Sequence, residues 1–498
     1  MKNNDFDFIK DKFNNVEPEI PNNLNANIIE QKILNKSSHK TIKFEQKRNN
    51  IKPLATIAAC FILILGVVFA LNPNIVNQNK VDTINNYDDL NSKLSSLEEA
   101  SNTNELGCGI FSTTKCIDED GVETPNTIKS YDNYIFYAYY DHNNLNNRNK
   151  VYIYKTDNGN SSLVSIIDNF ISDDFCIDAL FVTENKLIIN ASTTDKTLIK
   201  IYDISNKSNP ILTTEFEQSG KYGEARMIDN TLYVVTNFNA PQNDSEKSLP
   251  YIKQNNETIF VSVKNIAYFK DAKTAQYAVI SSMDVETGKQ LNEPKAILGG
   301  SAKIYCTKEY MYISEYFEDE SSVKNNNDVM KLNLQNNKIT YAPEQEINKY
   351  LNVTIDIGKG SNYSSTIYSI GEYFISIGQD MEQAKEEIIL FDKNFNQLDI
   401  YTFDNEHIST EQDCLTVNTD NNIFALPAYF SDDTMRYYGV ITFEVQNNQI
   451  VITNEFKNDD DNLMYQGKCI IIENYIYSFD INDNASDNEK LKVFSYKY

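Results

Sequence analysis

The sequence predicts an all-β chain folded as a β-propeller of about seven blades, preceded by a short cytoplasmic helical tail and a single transmembrane helix. Three observations carry this. A strand–turn–strand unit recurs seven times between about residue 107 and residue 498. Hydrophobicity alternates with period two over that stretch, the pattern of strands, and "DMEQAKEEI" is the one longer run with helical period. Upstream, Pro53–Leu71, "PLATIAACFILILGVVFAL", runs 19 residues without a charge.

The first element is the tail, 1–52. It breaks at "EPEIPNN", and "NLNANIIEQKIL" then sets Leu24, Ile28, Ile29 and Leu34 on one face of a short amphipathic helix, with Asn22 or Asn23 as cap. The second is the apolar run 53–71, which at about 1.5 Å per residue matches the hydrocarbon thickness of a bilayer. A buried soluble helix rarely lacks polar residues over such a length. A cleaved leader fits poorly, since 52 residues precede the run and no A-x-A site closes it.

Charge orients the span. Lys40, Lys43, Lys47, Arg48 and Lys52 precede it against Glu45, and the first cation after it is Lys80. Cations collect on the cytoplasmic side, so the expected placement is a single-pass cell-membrane protein with its N-terminus in the cytoplasm and the large C-terminal part outside. The whole chain carries net charge −26, and the tail holds ten Lys and Arg against seven Asp and Glu. The acidity therefore belongs to the exported part, which repels phosphate backbones and speaks against nucleic acid as a partner. The third element, 72–106, is polar. It reads as a stalk with helical character, because "YDDLNSKLSSLEEA" aligns Tyr87, Leu90, Leu94 and Leu97 on one face.

From 107 to 498 the recurring unit is a strand around "[Asp/Glu]-Asn-x-[aromatic or aliphatic]", a tight turn, and a second strand. It opens as "SYDNYIFYAYY" then "KVYIYKT", and closes as "IIENYIYSFDI" then "LKVFSYKY". Such a unit leaves its own edges open. Arranged radially, the units form a propeller; a β-sandwich or two smaller β-domains would not need seven similar copies. Within one unit, "ALFVTENKLIINAS" gives the inner strand pair and "IYDISNKSNPILTTEF" the outer pair. The last copy stops after three strands at most, so "CGIFSTTKC" is expected to complete that blade and close the ring.

Several of these motifs also resemble bacterial secreted or membrane-anchored proteins with a C-terminal β-propeller domain. The most specific is Tyr202-Asp203-Ile204-Ser205, then Gly220-x-Tyr222, Ala225-Arg226-Met227-Ile228 and Leu232-Tyr233. "ILGGSAKIYC", "EIILFDKNF" and "YQGKCIIIENYIYSFDI" are similar too, and the likeness runs from about Ser112 to Ile481. It departs from the family pattern between about 330 and 364, where "INKYLNVTIDIGKGSNYSS" stands in place of a longer charged, Gly-rich stretch. The resemblance implies fold and placement and assigns no reaction.

Chemistry-bearing patterns are sparse. The three histidines are His39, His142 and His407, and no G-x-S-x-G, HExxH or Walker-type loop occurs. "GGSAK", Gly299–Lys303, lies between strands and reads as a turn rather than a phosphate cradle. The seven cysteines include no CxxC pair; isolated buried thiols are expected, with a Cys108–Cys116 disulfide as an alternative in an oxidising compartment. Calcium is the one cofactor the loops suggest. "DINDNASDNE" spaces Asp480, Asn482, Asn484 and Asp487 as oxygen ligands, without the glycine or the final acid of a complete calcium loop.

The remaining site candidates are Arg226 and Tyr222. Arg226 is either a ligand-facing charge near the central channel or one half of a structural ion pair with an inner-blade carboxylate such as Asp203. The insertion Asn239–Asp271 is long for a propeller loop and is the expected partner-facing element. Together these point to a non-enzymatic binding or scaffolding module at the cell envelope, engaging a protein, peptide or wall polymer. A sensor signalling through the tail helix is the alternative, and an envelope enzyme the third reading.

Overall fold

Where the repeated phrase "[Asp/Glu]-Asn" stands, the backbone reverses. Asp132, Asp229 and Glu473 adopt φ of 53°, 51° and 54°, and Gly371 takes the same corner at 56°. Each begins a two-residue turn between the first and second strands of its sheet. Glycine, Asp and Asn accept this left-handed geometry at least cost. Two other units turn differently: the N–H of Thr183 donates to the Lys186 carbonyl and that of Thr307 to the Tyr310 carbonyl, both at 2.8 Å. The threonine hydroxyls then accept from Lys186 N at 3.1 Å and Tyr310 N at 2.9 Å.

A computed structural model describes residues 82–97, 122–140, 148–172, 174–241, 249–270, 272–315, 329–342, 363–380, 385–393, 396–403, 406–408, 415–418, 422–431, 436–458, 464–481 and 486–498. The tail, the apolar run 53–71 and "CGIFSTTKC" lie outside them. Among the described residues no helix is long and apolar enough to cross a membrane.

The strands form seven sheets, and each copy of the sequence unit falls in a different one. Named by where each begins its run of strands, they are sheet 1 (128–167), sheet 2 (176–219, with 251–260), sheet 3 (221–239 and 266–298, with 122–123), sheet 4 (300–341), sheet 5 (363–402), sheet 6 (406–458) and sheet 7 (464–497). Pairing is antiparallel between successive strands, as in Lys186–Asp203 and Lys196–Ser219. The opening strands converge: Ile128–Tyr131 of sheet 1 touches both Cys176–Val182 of sheet 2 and Met464–Ile472 of sheet 7. This is a β-propeller, with first strands toward the axis and last strands at the rim.

Second strands are buried on both faces, because each sheet is flanked by two others. Lys186–Ser192 is buried at every residue, whereas the outer strand Ile211–Ser219 is mostly accessible. Apolar clusters fill the seams between sheets 1 and 2, 2 and 3, 3 and 4, 5 and 6, and 6 and 7. A further cluster joins sheet 7 back to sheet 1, with Tyr137 stacked on Phe479 at 4.8 Å between ring centroids. Beside it, the Tyr154 hydroxyl donates to the Leu491 carbonyl at 3.1 Å. Among the described residues sheet 7 has three strands.

One approach is close enough to fix a residue type. A Cβ on Gly223 would stand 2.1 Å from the Ala302 Cβ across the seam of sheets 3 and 4. Gly223→Ala is expected to cost about 1–3 kcal/mol by overpacking, read as a lower urea midpoint at unchanged m-value.

The segment anticipated as a stalk includes helix α1, Tyr87–Leu94, and this helix is part of the folded body. Asn86 caps it, its side chain accepting from Asp89 N at 3.0 Å. Leu90 and Leu94 are buried, and Leu97 packs beside them, while Tyr87 is 54% exposed. The apolar face has a partner: Ile266, Tyr277 and Leu298 of sheet 3, with Leu249 and Val261 of the insertion. Just before α1, Ile84 N donates to the Ile266 carbonyl at 2.9 Å and Asp82 pairs with Lys270 at 3.2 Å. Leu90→Ala should cost about 2–5 kcal/mol locally, seen as faster amide exchange at Ile266 and Tyr268 while the sheet 7 amides keep their protection.

Candidate functional site

Charged side chains on the first strands of sheets 3 and 4 meet at the seam between those sheets. In sheet 3, Lys221–Ile228 carries a β-bulge between Tyr222 and Glu224. Past it, Glu224 and Arg226 turn toward sheet 4. Arg226, 3% exposed, donates through Nη1 to Glu224 Oε2 and to the Ala225 carbonyl, both at 2.7 Å. Lys303 of sheet 4 reaches the other Glu224 oxygen at 3.3 Å. The three charges span the seam, and a buried pair of this kind fixes how two sheets sit on one another.

Arg226 is thus buried in an ion-pair network, and its acid is Glu224 rather than Asp203. The difference is geometric: Asp203 ends a strand two positions further from the axis and pairs with Lys186 at 3.1 Å. The Ser205 backbone N–H, donating at 2.9 Å, chiefly holds Asp203 down at about 2, with the Ser205 side chain and Lys186 adding to it. Tyr222, the other binding candidate, is buried in the apolar cluster between sheets 2 and 3.

Of the four candidate calcium residues, two belong to described elements. Asp480 lies within strand Tyr475–Ile481, is 3% exposed, and accepts from Asn458 Nδ2 at 2.6 Å. It links sheets 6 and 7 instead of opening a loop. Asn482 and Asn484 fall outside the described residues, and Asp487 begins the short helix Asp487–Lys490. Among the described residues no group of three His, Cys, Asp or Glu is placed to hold a metal ion. Cys306 and Cys469 are buried, Cys176 is exposed, and Cys108 and Cys116 lie outside the described residues. Gly299 makes the turn from sheet 3 into sheet 4 with φ 78°.

The insertion expected to face a partner is largely a clasp. Tyr251–Gln254 extends the rim of sheet 2 by pairing with Phe216, Glu217 and Gln218, and Ile266–Tyr268 runs parallel to Lys295–Leu298 at the rim of sheet 3. The two rims are thereby tied together. What stays open is the edge strand Glu257–Phe260, with Ile259 and Phe260 exposed. On the same sheet a groove of about 300 Å³ is lined by Glu215, Glu217 and Lys253, among others.

Sequence reasoning missed two features near the axis. Val122–Glu123 pairs with Ile228 and Met227 on the first strand of sheet 3, and Asn126 bridges to Leu180 of sheet 2, so the approach to sheet 1 runs along two inner edges. Lys129 pins this approach by pairing with Glu123 at 3.0 Å and donating to the Thr124 carbonyl at 2.7 Å. The second is Asp178, the extra residue of a bulge between Ile177 and Ala179. An acid inside the apolar run "CIDALFV" was the available signal.

A family model for a beta propeller domain matches residues 111–398. No curated protein matches the chain. Among solved structures it is similar to one from a study of two prolyl endopeptidases, at 10% identity and a TM-score of 0.32, over 86% of this chain and 59% of that one. It is similar also to a post-proline cleaving enzyme from Rickettsia typhi, at 10% identity and TM-score 0.30, over 88% and 64%. AztD from Citrobacter koseri matches at 11% identity and TM-score 0.25, over 75% and 94%. The chain spans about three fifths of the two peptidases, and likenesses at these scores carry no argument about activity.

Proposed function

Because this chain belongs to the beta propeller domain family, we propose that it is a binding or scaffolding module held at a bacterial cell envelope by one membrane span. The seven sheets are read as seven blades. The carrying observation is the charged set Glu224, Arg226 and Lys303, held by a bulge and by ion pairs at the seam of sheets 3 and 4, with Lys221 at the head of the same first strand. Rigid strands hold such polar groups with little freedom to lose on binding.

The uncharged run Pro53–Leu71 with its preceding cations supports the anchor, with the tail in the cytoplasm and the propeller outside. The partner is an envelope protein, peptide or wall polymer; net charge −26 disfavours nucleic acid. Calcium is not part of this reading, since Asp480 is committed to Asn458. A second reading, a sensor whose tail contacts a cytoplasmic regulator, draws support from helix α1. It couples the chain beyond the span to the clasp between sheets 2 and 3.

Photo-crosslinking of the full-length protein in its own membrane tests this. Partners linked to positions on the propeller are expected. Recovery of neighbours of the tail alone would overturn the scaffold reading and favour the sensor.

A further inference from the structure

At the seam of sheets 2 and 3 several buried polar atoms have no partner. Cys176 stands opposite Ser192 and Ala179 opposite Asn190, so the bulge throws Asp178 out of the regular alternation. Bulges re-aim side chains in this way beside functional sites. The Asp178 carboxyl lies against Ser192, yet its Oδ2 is closed off from solvent and has no hydrogen-bond partner among the described residues. Asn190, fully buried on the neighbouring strand, has neither its Oδ1 nor its Nδ2 partnered among the described residues. Native interiors rarely leave such groups unmatched, and a bound species is one of the few explanations.

The charges around the seam define what would fit. Lys221 heads the first strand of sheet 3 and acts on Asp178 electrostatically, but it forms no ion pair among the described residues. Arg148, from the loop entering Asn149–Asp157, acts on Cys176 and hydrogen-bonds the Tyr140 hydroxyl at 3.0 Å. Burial, followed by Asp178 itself, pushes the Cys176 thiol up, so it adds no negative charge near neutrality. Glu224, the other acid on Lys221's strand, is engaged by Arg226 and Lys303. Lys221, which acts on Asp178 and has no ion pair of its own among the described residues, therefore stands beside a single carboxyl and two unmatched amide atoms, a set that disfavours a bare metal ion and favours an anion.

We infer that this seam is a subsite for a carboxylate, the free C-terminal end of a peptide, received by Lys221 Nζ and Asn190 Nδ2 with the acid form of Asp178 donating a further hydrogen bond. This deepens the binding function proposed above and rests on it. Because burial pushes Asp178 up to about 7, its acid form is present at neutrality and is lost above it. Binding should therefore take up a proton and weaken as pH rises.

The test is calorimetric titration of the full-length protein with trialanine and with its C-terminal amide at pH 6 and pH 8. The free acid is expected to bind about tenfold more weakly at pH 8 than at pH 6, and the amide not to bind. Lys221→Met should abolish binding with the circular dichroism spectrum unchanged, and Asp178→Asn should make binding independent of pH. Equal binding of acid and amide, no binding of either, or a wild-type affinity unchanged between the two pH values would overturn the assignment. If the subsite fails while crosslinks still map to the propeller, only the ligand is wrong; if both fail, the binding function falls with it.

Discussion

Asp178→Asn raises the stability of the propeller at pH 8 and flattens its dependence on pH. In the unfolded chain Asp178 ionises at its ordinary 3.8; in the folded chain burial pushes it up to about 7, against smaller opposing effects of Ser192 and Lys221. Between those values the unfolded chain has released a proton that the folded chain still holds. Stability therefore falls as pH climbs from about 4 to about 7, and stays lower above that. Three pK units correspond to about 4 kcal/mol, an upper figure that local relaxation reduces. Asparagine keeps the shape, still accepts from Ser192, and never ionises. Urea unfolding at pH 4, 6 and 8 reads the effect: a small difference at pH 4 and the full gain at pH 8. A variant less stable than wild type at pH 8 would mean that the carboxylate is paired and wanted in its charged form.

Phe479→Ala should destabilise the propeller by about 3–5 kcal/mol. The ring is 1% exposed, stacks on Tyr137 and meets Tyr154 edge-on at 6.3 Å. Its neighbours lie on sheet 1, so the cavity opens at the seam that joins the two ends of the propeller. Tyr137→Ala should be non-additive with it by about 0.5–1.5 kcal/mol, the range for an aromatic pair beyond area burial. Denaturant unfolding of both single variants and the double variant supplies the cycle. Strict additivity would place the two rings apart.

The repeat was legible because its signals are local. A polar corner such as Asp229-Asn230 followed by "TLYVVTN" states both the turn and the strand, and the copies fall one to a sheet. The pairing of "ALFVTENKLIINAS" inside "IYDISNKSNPILTTEF" was readable for the same reason. Long-range partners were not. Nothing near Arg226 says whether its acid is Asp203, 23 positions before it, or Glu224, two positions away, until the bulge at Gly223 turns both Arg226 and Glu224 toward sheet 4. The apolar face of Tyr87–Leu94 announced a helix, but a face does not name what covers it. Nor does the length of the insertion reveal that it ties two rims before exposing Ile259 and Phe260. Asp178 was hidden because a bulge adds one residue without changing composition.

Closure of the ring is tested most directly by one distance. Asn158, beside Gly159 in sheet 1, and Lys497, two residues from Ser495 in sheet 7, are both exposed, and the Ser495 hydroxyl donates to the Gly159 carbonyl. Spin labels placed at 158 and 497 through unnatural amino acids, in the full-length protein, are read by pulsed electron resonance. A ring in which sheet 7 packs on sheet 1 gives a single short, narrow distance. A long or broad distribution would mean that the two ends do not meet, and the propeller described here would be contradicted.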